Sequence, residues 1–425
     1  MNMAIATGAM RRALPPLQMA DRRFSRRWFP QGRVSKLALT AAAAGLGYMA
    51  VVQSVAMVLQ KQSPEQAHAL APTNGFITGE LAGKLSTSNG GVRNRAQAVR
   101  LAQLALRQDP TAIDGAVTLA LNALISGNTA KARHLFAYSE MLSRRNLPTQ
   151  LWDINDPQNG VDTVLFHYDI ALRTSQNASA LLFPVLASAI GDPANRNDIV
   201  NLLARRPPWG NGLIDYLVAN DVDPASTGLF FRALSERGVP IFDGDSAGLI
   251  NTLIDVNQYE QAWRYYASIH PETVRNQSRD PNFKNDAAVP APFDWVPINL
   301  GAISSSIQRG SNGGVLAFSA PPSIGGSVVE QTELLRPGDY ILSGQTEDIS
   351  QPDDARPYWS LSCRQGRELG RTDVPNSTRA DGRFSGRFTV PADCPVQILT
   401  LTIRPSSKIS GVSGQVVSAL LKPVE

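Results

Sequence analysis

LALTAAAAGLGYMAVVQSVAMVL, residues 37–59, is a run of 23 residues without a charge. The chain before it is lopsided. Residues 1–36 hold eight basic residues (Arg11, Arg12, Arg22, Arg23, Arg26, Arg27, Arg33 and Lys36) and one acid, Asp21. As a helix, at about 1.5 Å per residue, the run reaches roughly 34 Å, enough to cross a hydrocarbon layer of about 30 Å. Lys and Arg favour the cytoplasmic side of such a span. The expectation is a basic cytoplasmic tail at 1–36 and a single transmembrane helix at 37–59. The bulk of the chain is then delivered to the far, extracytoplasmic side, with membrane lipid as the first partner.

Two other readings of the same run stand beside this one. Ala67-His68-Ala69 fits the small-x-small cleavage pattern of a signal peptide. The apolar stretch exceeds the usual 7–15 residues of a signal, and the leader is long, so a retained anchor is preferred. A mitochondrial transit peptide is the third option, because the leader is rich in Arg and nearly free of acids. Ala41, Ala43, Gly45 and Gly47 have the small-xxx-small spacing that lets two membrane helices approach closely, a spacing an Ala-rich anchor also produces by chance.

The pI near 9.1 invites a nucleic-acid reading, and the distribution of charge removes it. Beyond residue 36 there remain 32 basic and 35 acidic residues, so the basic character belongs to the leader. Topology and anionic lipid explain such a leader better than DNA does. The two cysteines, Cys363 and Cys394, would sit in an oxidising space, where one intramolecular disulfide is expected. Two cysteines and four scattered histidines argue against a dedicated transition-metal site, and no cofactor is expected.

Residues 60–91 are rich in Gly, Ser, Thr, Asn and Pro and read as a linker. From 92 to 280 the period is helical. RAQAVRLAQLALRQDP (95–110) places Ala98, Ala102 and Ala105 on one face. Thirty-four residues after Ala98 stands Ala132, followed by Phe136 and Ser139. Val164, Tyr168 and Ala171 repeat the offset, and so do Ala262 and Tyr266, preceded by Tyr259. This rhythm resembles tetratricopeptide repeats. The resemblance implies an α-solenoid of helical hairpins, in which small residues let paired helices approach and an aromatic fills the gap to the next unit. It also implies a groove for a protein partner. Between 173 and 238 the register is lost, and Pro184, Pro193, Pro207, Pro208 and Pro224 are expected to cut the helices short. Helices are still expected at 181–203 and 212–237.

Past residue 281 short alternating runs are cut by Gly, Pro, Asn and Asp. Candidate strands are 303–308, 314–320, 328–334, 339–345, 358–364, 382–390, 397–404 and 414–421. Leu399, Leu401 and Ile403 alternate with Thr400, Thr402 and Arg404, as in a half-buried strand. The fold class expected is therefore multidomain: one transmembrane helix, a helical repeat domain at 92–280, and an antiparallel β-sandwich or jelly roll at 281–425. LRPGDYILS (335–343) and YWSLSC (358–363) resemble phrases of galactose-binding-like jelly rolls found as carbohydrate-binding modules. With Phe293-Asp294-Trp295, the whole chain resembles bacterial envelope proteins that join an anchor, helical repeats and such a sandwich. The resemblance implies a polysaccharide partner, with Trp295, Tyr358 and Trp359 as candidate stacking residues; strand aromatics more often fill a core.

One catalytic phrase occurs. Gly244-Asp245-Ser246-Ala247-Gly248 fits G-x-S-x-G and resembles the nucleophile elbow of hormone-sensitive-lipase-type hydrolases. No His-Gly-Gly-Gly loop precedes it, and the one histidine downstream, His270, lies close in sequence. The simpler reading is a loop entering a helix, with Asp245 or Ser246 as N-cap. His134 and His167 fall within expected repeat helices. No acid pair stands out for glycoside hydrolysis. The sequence thus points to a non-enzymatic, membrane-tethered scaffold, for which the resemblance implies a setting in surface polysaccharide assembly or export, with an envelope hydrolase (an esterase using Ser246 or a glycan-cleaving enzyme) as the alternative.

Overall fold

The structure, a computed structural model, describes residues 33–88, 91–285, 287–310 and 313–424. Most of the basic leader, residues 1–32, lies outside the described residues. The chain divides into two compact units, Met1–Leu142 and Ser143–Glu425.

The first unit is helical: α1 (Arg33–Leu59), α2 (Pro64–Leu70), α3 (Gly75–Thr87), α4 (Gly91–Gln108), α5 (Ile113–Ile125) and α6 (Thr129–Leu142). Over Lys36–Leu59, α1 is long and apolar enough to cross a membrane. Its large side chains are bare: Leu37, Leu46 and Val58 are 71%, 73% and 78% exposed. The segment 60–91, expected as a linker, instead carries α2 and α3. Pro64 opens α2, where its fixed φ suits the first turn. Asn74 caps α3 by accepting from the backbone N–H groups of Phe76 and Ile77. Two of the glycines that gave the segment its loop-like composition, Gly75 and Gly79, serve close packing. A Cβ on Gly75 would stand 2.6 Å from Asp109 Cβ, and one on Gly79 would stand 3.1 Å from the Gly115 nitrogen.

Ala98, Ala102 and Ala105 are fully buried along α4, and Ala132 and Phe136 are buried on α6. Small side chains on these faces bring helix backbones together, so the unit is held by many close contacts of small groups.

The second unit begins with eight helices: α7 (Leu147–Asn155), α8 (Val161–Thr174), α9 (Ala178–Ala189), α10 (Pro193–Leu203), α11 (Gly210–Ala219), α12 (Pro224–Glu236), α13 (Asp243–Asp255) and α14 (Tyr259–Ile269). Two of the prolines expected to break helices start them. Pro193 and Pro224 sit in first turns behind the N-caps Asp192 and Asp223. Pro184 is accommodated inside α9, and Pro207 and Pro208 lie between α10 and α11. Tyr168, Ala171, Ala262 and Tyr266 are all buried in the core that α8–α14 share.

Two five-stranded antiparallel sheets follow. One has the order β1 (Val296–Pro297), β4 (Gly326–Glu333), β9 (Gln397–Ile403), β6 (Tyr358–Cys363), β7 (Glu368–Asp373). The other has the order β2 (Ser304–Gly310), β3 (Gly313–Ala320), β10 (Val412–Pro423), β5 (Gly338–Glu347), β8 (Arg383–Val390). Strict alternation in β6 and β9 turns Trp359, Leu361, Leu399 and Leu401 inward to meet Leu316, Leu342 and Val416 of the other sheet. This is the β-sandwich expected from the alternating runs. It is not separate from the helices: Phe293, Leu334 and Val396 belong to the same apolar cluster as Trp263 and Tyr266 of α14.

Candidate functional site

The joint between helices and sandwich is built around Arg279, which is 3% exposed. Its Nη1 donates to Glu333 Oε2 at 2.8 Å, its Nε donates to the Phe293 carbonyl at 2.7 Å, and its Nη2 reaches the Thr332 carbonyl. The guanidinium also lies 5.8 Å from the ring centre of Trp263 and 5.5 Å from that of Phe293. Glu333 is fully buried on β4. Burial outweighs the opposing pull of Arg279 and leaves its carboxyl raised to about 7. A second grip lies at the far end of β6. Arg364 Nη1 donates to the Ile254 carbonyl at 2.8 Å and its Nη2 pairs with Asp255, both at the end of α13. The neighbouring Cys363 is bridged to Cys394, with the two Cα atoms 5.6 Å apart. The expected disulfide therefore pins the strand end from which Arg364 reaches the helices.

Beside this joint lies a cleft of about 520 Å³ whose lining includes Asp243, Ser246, His270, Asn285 and Asp294. Ser246 is not on a strand-to-helix elbow, and neither it nor Asp245 is an N-cap. Helix α13 starts at Asp243 behind the N-cap Phe242, so both lie within the helix near its start, Asp245 in the first turn. Ser246 is buried, and its Oγ is 2.9 Å from the hydroxyl of Tyr265. Burial pushes the Tyr265 phenol up to about 12. Asp294 Oδ1 accepts from Tyr266 Oη at 2.7 Å and from Asn285 Nδ2 at 3.0 Å, and Oδ2 accepts from the Ala291 N–H. The His270 ring packs on Tyr266, with centroids 4.5 Å apart. The serine, histidine and acid thus share one cleft, while the hydrogen bonds of the serine and the acid run to tyrosines and an asparagine.

The three candidate stacking residues divide. Trp295 and Trp359 are 2% and 0% exposed and lie 5.7 Å apart inside the sandwich, so neither can stack on a sugar ring. The inward position of Trp359 follows from the two-residue period of β6, while Trp295 precedes β1 and is held by its Nε1, which donates to the Asp280 carbonyl at 2.9 Å. Tyr358 faces outward and is half-buried, with the guanidinium carbons of Arg404 and Arg371 at 4.4 and 4.8 Å from its ring centre.

A surface that sequence reasoning missed lies on the outer side of the second sheet. A shallow groove of about 300 Å³ is lined by Ser304, Ser306 and Gln308 of β2, Ser319 of β3, and Ser413 and Gln415 of β10. Hydroxyl and carboxamide groups predominate, with the carboxylate of Asp348 and the apolar Ala317 and Phe318 beside them. The signal was the polar half of the alternation, Ser304, Ser306 and Gln308, whose partners across the sheet only the pairing register supplies.

No known family profile and no curated protein matches the chain. Among solved structures, a CBM4 structure is similar at TM-score 0.24 and 13% identity, over 35% of this chain and 96% of that one. Accessory secretory protein 1, 2 and 3 of Streptococcus pneumoniae is similar at TM-score 0.21 and 14% identity, over 28% and 86%. The enzymatically active domain of tailspike protein 4 from bacteriophage CBA120 is similar at TM-score 0.22 and 10% identity, over 31% of this chain and only 19% of that one. Likeness at these scores carries no argument about function.

Proposed function

We propose that this protein is a non-enzymatic, membrane-anchored binding scaffold of the bacterial envelope. Its N-terminus is cytoplasmic and the rest of the chain is periplasmic. The observation that carries the reading is the bare apolar surface of α1, which in water would be an exposed patch far larger than a soluble monomer tolerates. The disulfide Cys363–Cys394 favours an oxidising compartment. The helical hairpins act as a tetratricopeptide-like array for a protein partner, a role supported by the buried small and aromatic residues at the repeat offsets. The sandwich touches glycan through the hydroxyl and carboxamide groove of its second sheet, in the setting of surface polysaccharide assembly or export.

Reporters fused behind Glu425 test the topology. A reporter active only outside the cytosol is expected to light up, and a cytosolic signal alone would overturn the compartment. Crosslinking in intact cells should then attach a protein partner, and neutral polysaccharides on an array should retain the chain.

The shared cleft of Ser246, His270 and Asp294 favours a second reading, an envelope hydrolase. Ser246→Ala separates the two. The scaffold reading expects no change in any esterase activity of the preparation and a stability loss of about 1 kcal/mol from the broken bond to Tyr265. Loss of an esterase activity with the fold intact would establish the enzyme.

A further inference from the structure

The first hairpin after the span turns back toward the membrane. Helix α1 ends at Leu59, and α2 begins at Pro64 after a short turn. The next turn, before α3, brings Asn74 level with Gln53: Asn74 Nδ2 donates to Gln53 Oε1 at 3.2 Å. Further along α3, Glu80 pairs with Lys61 just beyond the end of α1. So α2 runs antiparallel to α1 and α3 runs parallel to it. Ala56, Ala67, Ala71 and Ile77 form the small core that locks the three together. The turn between α2 and α3 therefore lies about 9 Å, or six residues of rise, back along the apolar helix.

Two further observations concern this tip. Between Glu65 and Glu80 the sequence holds no Asp, Glu, Lys or Arg, and Leu70, Pro72, Thr73 and Phe76 are exposed there. Within the hairpin the charges resume as pairs set back from the tip, Lys84 with Glu65 and Lys61 with Glu80, and the charge nearest it from outside is Asp109, which packs on Gly75 from the turn after α4. Three carbonyls of the tip are also satisfied internally. The Pro72 carbonyl accepts from Gln108 Nε2, the Ala71 carbonyl from the Asn74 N–H, and the Asn74 carbonyl from Thr78. That is what apolar surroundings demand. The length of α1 sets the same requirement. Residues 37–52, between Lys36 and the level of the tip, rise about 24 Å, short of a hydrocarbon layer of about 30 Å.

We propose that the α2–α3 tip, with Leu70 and Phe76 at its flanks, is seated in the bilayer at the boundary of headgroups and acyl chains, completing a span that residues 37–52 alone leave short. The occupant of this surface is the lipid of the membrane that α1 crosses, so the proposal rests on the anchor reading. The seat holds the first helical unit against the membrane directly, in place of a flexible tether.

The test uses the full chain in lipid vesicles, with single cysteines carrying an environment-sensitive fluorophore and lipids brominated at known depths. Leu70→Cys and Phe76→Cys report the tip. Leu46→Cys reports the middle of the span, and Val92→Cys, on a residue 77% exposed at the start of α4, reports a site away from the tip. Labels at 70 and 76 are expected to be quenched by bromine near the headgroup end of the chains, several-fold more than the label at 92. Quenching at 46 with values at 70 and 76 equal to that at 92 would overturn the seat and leave the anchor standing. An unquenched label at 46 would remove the anchor and the seat together.

Discussion

The two units are held together by opposite means. The buried apolar residues of the first are mostly alanines (Ala82, Ala98, Ala102, Ala116 and Ala120 among them), with Phe136 the large exception. Its ion pairs, Lys61–Glu80 and Lys84–Glu65, lie at the surface. The second unit buries Trp359, Tyr340, Phe384 and Phe388 in its sandwich, a charged pair at its joint, and a disulfide beside it. In the first, stability comes from backbones brought close, and the tolerance for added volume is small. In the second it comes from large apolar area and a few specific bonds between segments far apart in sequence.

Changes that respect one of these strategies and violate the other should separate the two units. The largest effect is expected from Arg279→Met, which leaves Glu333 buried without its partner. Breaking one side of such a pair costs about 3–5 kcal/mol. Calorimetry of the full chain should show a lowered transition for the second unit and an unmoved one for the first; a loss below about 1 kcal/mol would deny the joint its role. Next is the double replacement Cys363→Ser and Cys394→Ser. The bridge closes a separation of 31 residues, so its loss should destabilise by about 3–4 kcal/mol on the chain-entropy model, again in the second unit alone. Two free thiols in protein isolated from cells, seen by mass before and after alkylation, would instead show that the bridge does not form in place.

Ala102→Leu reverses the target. Overpacking a fully buried alanine should cost the first unit about 1–3 kcal/mol and leave the second untouched. The smallest effect is the pH response of Glu333. Its folded pKa, about 7, lies above the ordinary 4.5, so the folded state takes up a proton in the window between them. Its contribution to stability is therefore fully present below about 4.5 and is lost as pH rises through 7. The transition of the second unit should fall by a few degrees between about pH 5 and 7.5. Glu333→Gln should remove that slope while the first unit's response stays the same.

Much of the fold was legible because it is written in local periods. The outlines of β6 and β9 follow from alternation in YWSLSC and QILTLTI, and the inner faces of α4 and α6 follow from Ala98, Ala102 and Ala132. Strand β7 was not legible. Its sequence, ELGRTD, exposes Glu368, Arg371 and Asp373, and it is a strand because the backbone of β6 pairs with it at the sheet edge. Helix α3 was hidden by Gly75 and Gly79, which looked like breaks and are points of close approach, and α2 by the proline that opens it.

By itself the sequence determined the long uncharged helix, the helical stretch, the alternating strands and the pairing of the only two cysteines, since each depends on neighbours a few residues apart or on there being no other partner. Tertiary structure alone decided that Trp295 and Trp359 are core rather than surface, that Ser246 lies inside a helix against Tyr265, and that Arg279 finds Glu333 across 54 residues. Local pattern sets which way a side chain points along its own element. What it meets there depends on elements that only the packed chain brings together.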